Sequence, residues 1–222
     1  MLNFEVDPAL LQPKIPAGTE LDLWRGKALV SLVGFMFYNT RVLGIPIPFH
    51  VNFEELNLRF YIKRPHPEGA RRAVAFIKEI VPRRAVSFVA KTFYNENYAT
   101  LPMRHAINAA GGASARYDWK LNGRWNRLGV TGAGEPKIPP KNSEAEFITE
   151  HYWGYAVQRR GGVKEYRVDH PQWRTWDAQS IDFDADVEAL YGPAFGECLK
   201  RPPCSALLAD GSAVTVSNGV IL

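Results

Sequence analysis

Cysteine is almost absent from this 222-residue chain, Cys198 and Cys204 being the only two. They flank Leu199-Lys200-Arg201-Pro202-Pro203, a spacing that makes no zinc site without further ligands nearby, so free structural thiols are expected. Histidine is scarce too. The five histidines occur singly, with no two at metal-ligand spacing, and neither a metal nor another cofactor is expected. Long apolar runs are missing, since no stretch approaches the ~18 apolar residues that a membrane span needs. The opening Met1-Leu2-Asn3-Phe4-Glu5 lacks the basic residues and apolar run of a secretory leader. The expectation is a soluble cytoplasmic protein with no membrane partner. Charge of one sign is also in short supply. The formal net charge is +4, and Lys and Arg are dispersed apart from the pairs Arg71-Arg72, Arg83-Arg84 and Arg159-Arg160. Nucleic-acid proteins concentrate such charge on one stripe or helix, so no nucleic-acid partner is expected. A small anionic molecule suits the pattern better. No repeat of roughly 20–50 residues is visible.

Apolar residues, by contrast, are plentiful. With 46% hydrophobic content the chain can build a full core without metals or disulfides, and residues 1–222 read as a single domain. Asp7-Pro8-Ala9-Leu10-Leu11 has an N-cap, proline at the first helical position and one helical turn. Ala28 to Tyr38 reads as a long apolar strand in which Gly34 marks a bulge or a close approach. The apolar, proline-broken loop Gly44–Phe49 is expected to pack down as a pocket wall or a subunit contact, which leaves room for a homo-oligomer. Arg72–Val81 follows the turn Arg64–Gly69 and pairs back as a hairpin. Arg84, Ser87, Lys91 and Asn95 fall at helical steps, opposite the stripe Ala85, Phe88, Val89, Phe93.

The rest is strand and turn. Ser114–Leu121 and Arg124–Val130 flank Asn122-Gly123, a strong hairpin signal. Gly132–Asn142 reads as a mobile Gly/Pro/Lys loop. Phe147–Thr149, Gly154–Arg159 and Val163–Val168 read as short strands, Asp184–Leu190 as a helix, and Ala213–Leu222 as a closing strand. The fold class is therefore mainly β, a β-rich α+β barrel or sandwich with a few short helices.

One strand carries the functional argument. In Phe53–Ile62, alternation puts Glu55, Asn57, Arg59 and Tyr61 on one face and Glu54, Leu56, Leu58, Phe60 and Ile62 on the other. Inside a barrel the first set would be a binding site.

Three stretches together resemble one family. They are Val30–Phe35 with Asn39-Thr40, the Phe53–Ile62 run, and Phe147–Tyr155 leading to His170-Pro171-Gln172-Trp173. They resemble the YqjF-like family of uncharacterised bacterial proteins, placed in the acetoacetate decarboxylase-like superfamily. The resemblance runs from Asp7 to about Tyr191. It implies a closed or nearly closed, mainly antiparallel β-barrel with a central cavity for a small oxo acid. In the characterised enzymes an essential lysine, just after a helix, forms a Schiff base. That helix resembles Arg83–Phe93, and the lysine position falls near Tyr98, where Asn97-Tyr98-Ala99-Thr100-Leu101 holds no lysine. The superfamily carboxylate that follows an aromatic-x pair matches Glu55.

Each candidate has an ordinary alternative. Arg59 could clamp a carboxylate bidentately, or pair internally with Glu55 or a neighbouring strand, the commoner fate of a buried arginine. Glu55 could serve as general acid or base, or be held inert by Arg59. His170, made extended by Pro171, could shuttle protons, or simply bond a carbonyl, and either it or Tyr98 could assist Glu55. His151 and Tyr152 read as strand residues on opposite faces. Lys78, aligned with Phe76 and Ile80, could bind a ligand in apolar surroundings, or pair with a barrel carboxylate. Asn57, Tyr61 and Trp173 complete the candidate lining, and aromatic walls suit a core as well as a pocket. Two functions follow as expectations. One is a lyase-type enzyme using noncovalent acid–base chemistry on a small carboxylate or oxo acid. The other is a non-catalytic protein that binds or senses such a molecule.

Overall fold

The computed structural model describes residues 1–42, 45–46, 51–82, 97–109, 112–158 and 161–222. The expected helix over 84–95 with Lys91, the arginine pairs 83–84 and 159–160, and most of the Gly44–Phe49 loop lie outside the described residues.

The strands in chain order are β1 (Leu2–Val6), β2 (Glu20–Leu21), β3 (Ala28–Phe37), β4 (Arg41–Val42), β5 (Ile45–Pro46) and β6 (Phe53–Arg64). Then come β7 (Arg71–Val81), β8 (Tyr98–Thr100), β9 (Met103–Asn108), β10 (Ser114–Leu121), β11 (Arg124–Gly132) and β12 (Trp153–Val157). The last are β13 (Val163–Asp169), β14 (Thr175–Asp184), β15 (Ser205–Ala209), β16 (Thr215–Val216) and β17 (Val220–Ile221). Helices are α1 (Pro8–Leu11), α2 (Glu144–Thr149), α3 (Val187–Tyr191) and α4 (Pro193–Leu199).

One sheet runs β16-β13-β12-β7-β6-β3-β1-β15-β14-β11-β10-β9, with β17 on β13, β2 on β6 and β8 on β7. Its pairings are antiparallel except for β12 and β8, which run parallel to β7. The class is mainly β, as the sequence implies. Among the described residues the ladder is not closed, because the end strands β9 and β16 do not pair.

The sheet folds so that its two halves face each other. Leu56, Leu58, Phe60 and Ile62 of β6, with Val30 and Leu32 of β3 and Phe4 of β1, pack in one cluster with Trp119, Leu128 and Val130 of the other half. Each such buried side chain contributes about 1.5–3 kcal/mol. These side chains form the core between the two halves. Gly34 lies at a close approach rather than a bulge, since the β3–β6 register is continuous through Gly34↔Leu56. The Tyr117 ring rests where a Cβ on Gly34 would stand, 2.6 Å from its nearest atom.

A single bulge decides the site. β6 and β7 pair as Leu58↔Lys78 but Arg59↔Phe76, leaving Ile77 as the extra residue. Beyond it, side-chain faces on β7 are exchanged relative to unbroken alternation. Lys78 therefore shares a face with Leu58 and Ile80, whereas Phe76 lies on the opposite one.

Local chemistry explains several elements. Asp7 caps α1, its side chain accepting from the Ala9 N–H at 2.8 Å, with Pro8 in the first turn. Asn122 (φ 50°) and Gly123 (φ 82°) both take left-handed conformations, as the tight β10–β11 hairpin demands. Phe147–Thr149 is not a strand but the end of α2. Ser143 caps that helix, accepting from the Glu146 N–H at 3.2 Å, while Glu146 reaches back to the Asn142 N–H. The Gly132–Asn142 loop is tied to β14: Lys137 and Thr175 exchange backbone hydrogen bonds of 2.9 and 2.8 Å. The closing strand is realised as two short edge pairings, β16 and β17, on β13. Cys198 and Cys204 are free thiols. No helix among the described residues is long and apolar enough to cross a membrane.

Candidate functional site

Glu55, Asn57 and Tyr61 of the β6 polar row are buried and Arg59 is half-buried, on the face turned away from the large core. Leu29, Tyr61, Val74, Phe147 and Ile148 form a second apolar cluster there, beneath α2. The row divides into two groups.

At one end Glu55 and Asn57 are each 3% exposed. The Asn57 amide donates to Glu55 Oε1 at 3.4 Å, and the Tyr98 hydroxyl donates to Glu55 Oε2 at 3.3 Å. The bulge sets Glu79, also buried, directly across from Asn57, and Tyr98 directly across from Glu79. Two carboxyl groups, an amide and a phenol thus project from adjoining positions of one face. Removing a carboxylate from water costs several kcal/mol unless hydrogen bonds or protons compensate. A cluster of this composition can hold and relay a proton.

At the other end Arg59 donates from Nη2 to the Ile148 carbonyl at 3.2 Å, and its Nε is buried without a hydrogen-bond partner. The expected ion pair with Glu55 does not form, and Arg59 makes no ion pair among the described residues. Tyr61 meets Ser31 Oγ at 2.5 Å, and Ser31 donates to Asn3 Oδ1 at 2.6 Å. The Tyr61 ring lies 4.7 Å from the His151 ring and 5.1 Å from Phe147. His151 is not on a strand. It follows α2, with its Nε2 3.7 Å from Asp22 Oδ2. Burial lowers the His151 pKa to about 4, Asp22 opposing the shift and Arg72 and Arg59 adding to it. Burial by itself raises Asp22, yet the neighbouring His151 and the hydrogen bond from Arg72 Nε at 2.7 Å outweigh it and leave the carboxyl below its usual value. The imidazole is therefore neutral at pH 7.

Lys78 does not join the row. Its ammonium donates to the Leu190 carbonyl near the end of α3, not to a carboxylate, and burial lowers its pKa. His170 and Trp173 form a separate group near the surface. The His170 ring stacks on Trp173 at 4.2 Å and on Tyr152 at 4.7 Å. Trp173 Nε1 donates to Ser212 Oγ at 2.8 Å. An open cavity of about 510 Å³ borders Tyr152, Arg167 and His170. The structure thus unites Glu55, Asn57 and Tyr98, sets Arg59 and Tyr61 farther along the same face, and leaves Lys78, His170 and Trp173 elsewhere.

Sequence reasoning missed Glu79 and misplaced His151 on a strand. Glu79 needed the bulge, which no residue type announces. His151 needed the helix before it, and the Ser143-x-x-Glu146 box was the available signal. No group of three or more His, Cys, Asp or Glu side chains among the described residues is placed to hold a metal ion.

Comparison with known proteins gives consistent results. The DUF2071 model, described as an uncharacterized conserved protein, matches residues 1–213. The uncharacterized protein YqjF of Bacillus subtilis (strain 168) is 27% identical over 193 residues, covering 85% of this chain and 75% of its own length. Among solved structures, acetoacetate decarboxylase from Legionella pneumophila superposes with a TM-score of 0.63 at 11% identity, covering 100% of this chain and 82% of that one. The enduracididine biosynthesis enzyme MppR with HEPES bound gives a TM-score of 0.63 at 13% identity, covering 100% and 84%. An acetoacetate decarboxylase-like enzyme from Sphingomonas wittichii RW1 gives 0.60 at 16% identity, covering 100% and 88%. At these identities the likeness is one of fold.

Proposed function

This chain belongs to the DUF2071 family and has an acetoacetate decarboxylase-like fold, and from that premise we propose that it binds a small carboxylate or oxo acid along the polar row of β6. The observation that carries the reading is the buried cluster at Glu55, with Asn57 and Tyr98 hydrogen-bonded to its carboxyl group and Glu79 beside them. In this reading Arg59 holds the ligand carboxylate, because its guanidinium has no carboxylate partner among the described residues. Glu55 gives or takes the proton, and Tyr98 orients it. Tyr98 stands near the position where the resemblance expects a lysine, so the chemistry is noncovalent acid–base catalysis of a lyase type.

The same substitution supports a second reading, a protein that binds or senses the acid without turnover. The test uses a panel of small oxo acids, with thermal stabilisation reporting binding and proton NMR reporting turnover. Turnover that is lost in Glu55→Gln while stabilisation persists is the result the enzymatic reading expects. Stabilisation with no turnover in the unmodified protein would select the second reading. If the acids neither stabilise the protein nor react, both readings fail. A borohydride-trapped lysine adduct would overturn the noncovalent chemistry.

A further inference from the structure

The opposite face of β6 begins with a charged residue, Glu54, and continues through Leu56, Leu58, Phe60 and Ile62 to Arg64. Glu54 marks where the two halves of the sheet meet. His105, on the edge strand β9, lies directly across from Tyr117 on β10. Glu54 Oε1 reaches over from β6 to His105 Nδ1 at 2.7 Å. The carboxylate is well covered, its side chain 14% exposed, whereas the imidazole is 35% exposed. A side-chain bond thus spans two strands that the backbone ladder leaves unpaired.

This arrangement has the logic of an oriented base. A carboxylate on Nδ1 fixes the hydrogen there, leaving the Nε2 lone pair as the acceptor. The exposed side of the ring can therefore meet a molecule from solution. A hydrogen-bond donor stands beside it. Tyr117 is 5% exposed, with its ring pressed against Gly34. Burial raises its phenol pKa, and the nearby Tyr38 and Glu54 add to the effect, so the hydroxyl keeps its proton across the physiological range. Tyr38 is 60% exposed and supplies an aromatic rim.

A positioned base and a protonated phenol together are the parts needed to remove a proton next to a carbonyl. We propose that Glu54, His105 and Tyr117 form a second proton-transfer site, separate from the Glu55 cluster, that enolises a small carbonyl compound at the seam between the two halves. In the step, His105 Nε2 takes the proton from the carbon α to the carbonyl. The electrons of that C–H bond form the C=C bond, and the carbonyl π pair moves onto oxygen. The enolate oxygen accepts a hydrogen bond from Tyr117. Return of a proton from the imidazolium to carbon restores the carbonyl compound, so no oxidant or co-reactant is consumed.

The test is deuterium exchange at the α-carbon of butanone, which has no carboxylate for Arg59 to hold, in D2O, followed by proton NMR. The comparison is a buffer holding free imidazole at the protein's concentration. The protein should exceed that reference by about 100-fold or more. His105→Gln should return the rate to the reference, with Glu54→Gln and Tyr117→Phe intermediate. Ser217→Ala, on the far edge of the sheet, should leave exchange unchanged. His105 is on an exposed edge strand, and phenylalanine preserves the Tyr117 ring, so the variants test chemistry rather than folding. Exchange at the reference rate in the unmodified protein would overturn the proposal. So would exchange that survives His105→Gln.

Discussion

Glu79 lies directly across from Asn57, in the place that unbroken alternation from the hairpin turn would give to Lys78. One extra residue, Ile77, makes the exchange. It moves a carboxyl group onto the buried polar face beside Glu55 and sends an amine toward the core and the end of α3. The acid–base character of the candidate site thus depends on a backbone irregularity as much as on its side chains. Bulges beside functional sites commonly re-aim side chains in this way.

His151 predicts a specific acid sensitivity. Its pKa is about 4 in the folded protein against 6.5 for the free side chain. Between these values the unfolded chain binds a proton that the folded protein does not, so stability falls as pH falls from 6.5 to about 4. The effect amounts to about 3 kcal/mol across that window. His151→Phe should remove it and flatten the profile. Urea unfolding of both proteins at pH 7 and pH 4.5 checks this, and equal losses in the two would refute it.

The cap of α2 should matter beyond the helix itself. Ser143→Ala removes the acceptor of the Glu146 N–H and should cost about 1 kcal/mol. The carbonyls of Phe147 and Ile148 anchor Arg72 and Arg59. Loosening α2 should therefore weaken oxo-acid binding more than Ser217→Ala, a substitution on the far edge that breaks only a bond to the Arg167 N–H. Equal binding by the two variants would disconnect α2 from the site.

Much of this architecture was legible in the sequence, for identifiable reasons. The two faces of β6 follow from alternation, the β10–β11 turn from Asn122-Gly123, and α1 from Asp7-Pro8. What alternation could not supply was which face the sheet encloses. The apolar face took the larger core, where burial is most favourable, and the Arg59–Tyr61 end of the polar row was covered from outside by α2. The β14 strand escaped notice because its register to β11 slips after Thr131↔Ser180, with Gly132 opposite Ala178. Its outward residues are polar and its inward ones only partly covered, so the alternation is faint. Phe147-Ile148-Thr149 is too short an apolar run to reveal its period.

The contact between Tyr117 and Gly34 yields a stability prediction. Alanine at position 34 would bring its Cβ to 2.6 Å from the Tyr117 ring, forcing ring or strand to move. Overpacking of this kind costs roughly 1–3 kcal/mol. Because Tyr117 also adjoins Glu54 and His105, Gly34→Ala should lower both the urea midpoint and α-proton exchange. The double variant Gly34→Ala/Tyr117→Leu should recover the midpoint but not the exchange. Failure of the smaller side chain to restore stability would rule out this contact as the cause.

Lys78 offers the clearest test of the bulge. Burial lowers its pKa although its ammonium donates to the Leu190 carbonyl, so the hydrogen bond does not fully offset desolvation. The folded protein then releases this proton at a lower pH than the unfolded chain, whose lysine titrates near 10.5. Across the interval below 10.5 the unfolded chain holds more protons, and stability must rise with pH. Lys78→Met keeps the stem against Leu58 and Ile80 but abolishes the titration. Measured by urea unfolding at pH 7, 9 and 10.5, the unmodified protein should gain on the variant as pH rises. Parallel profiles would mean that Lys78 is solvated, as it would be if Ile77 were not the extra residue and alternation ran unbroken through β7.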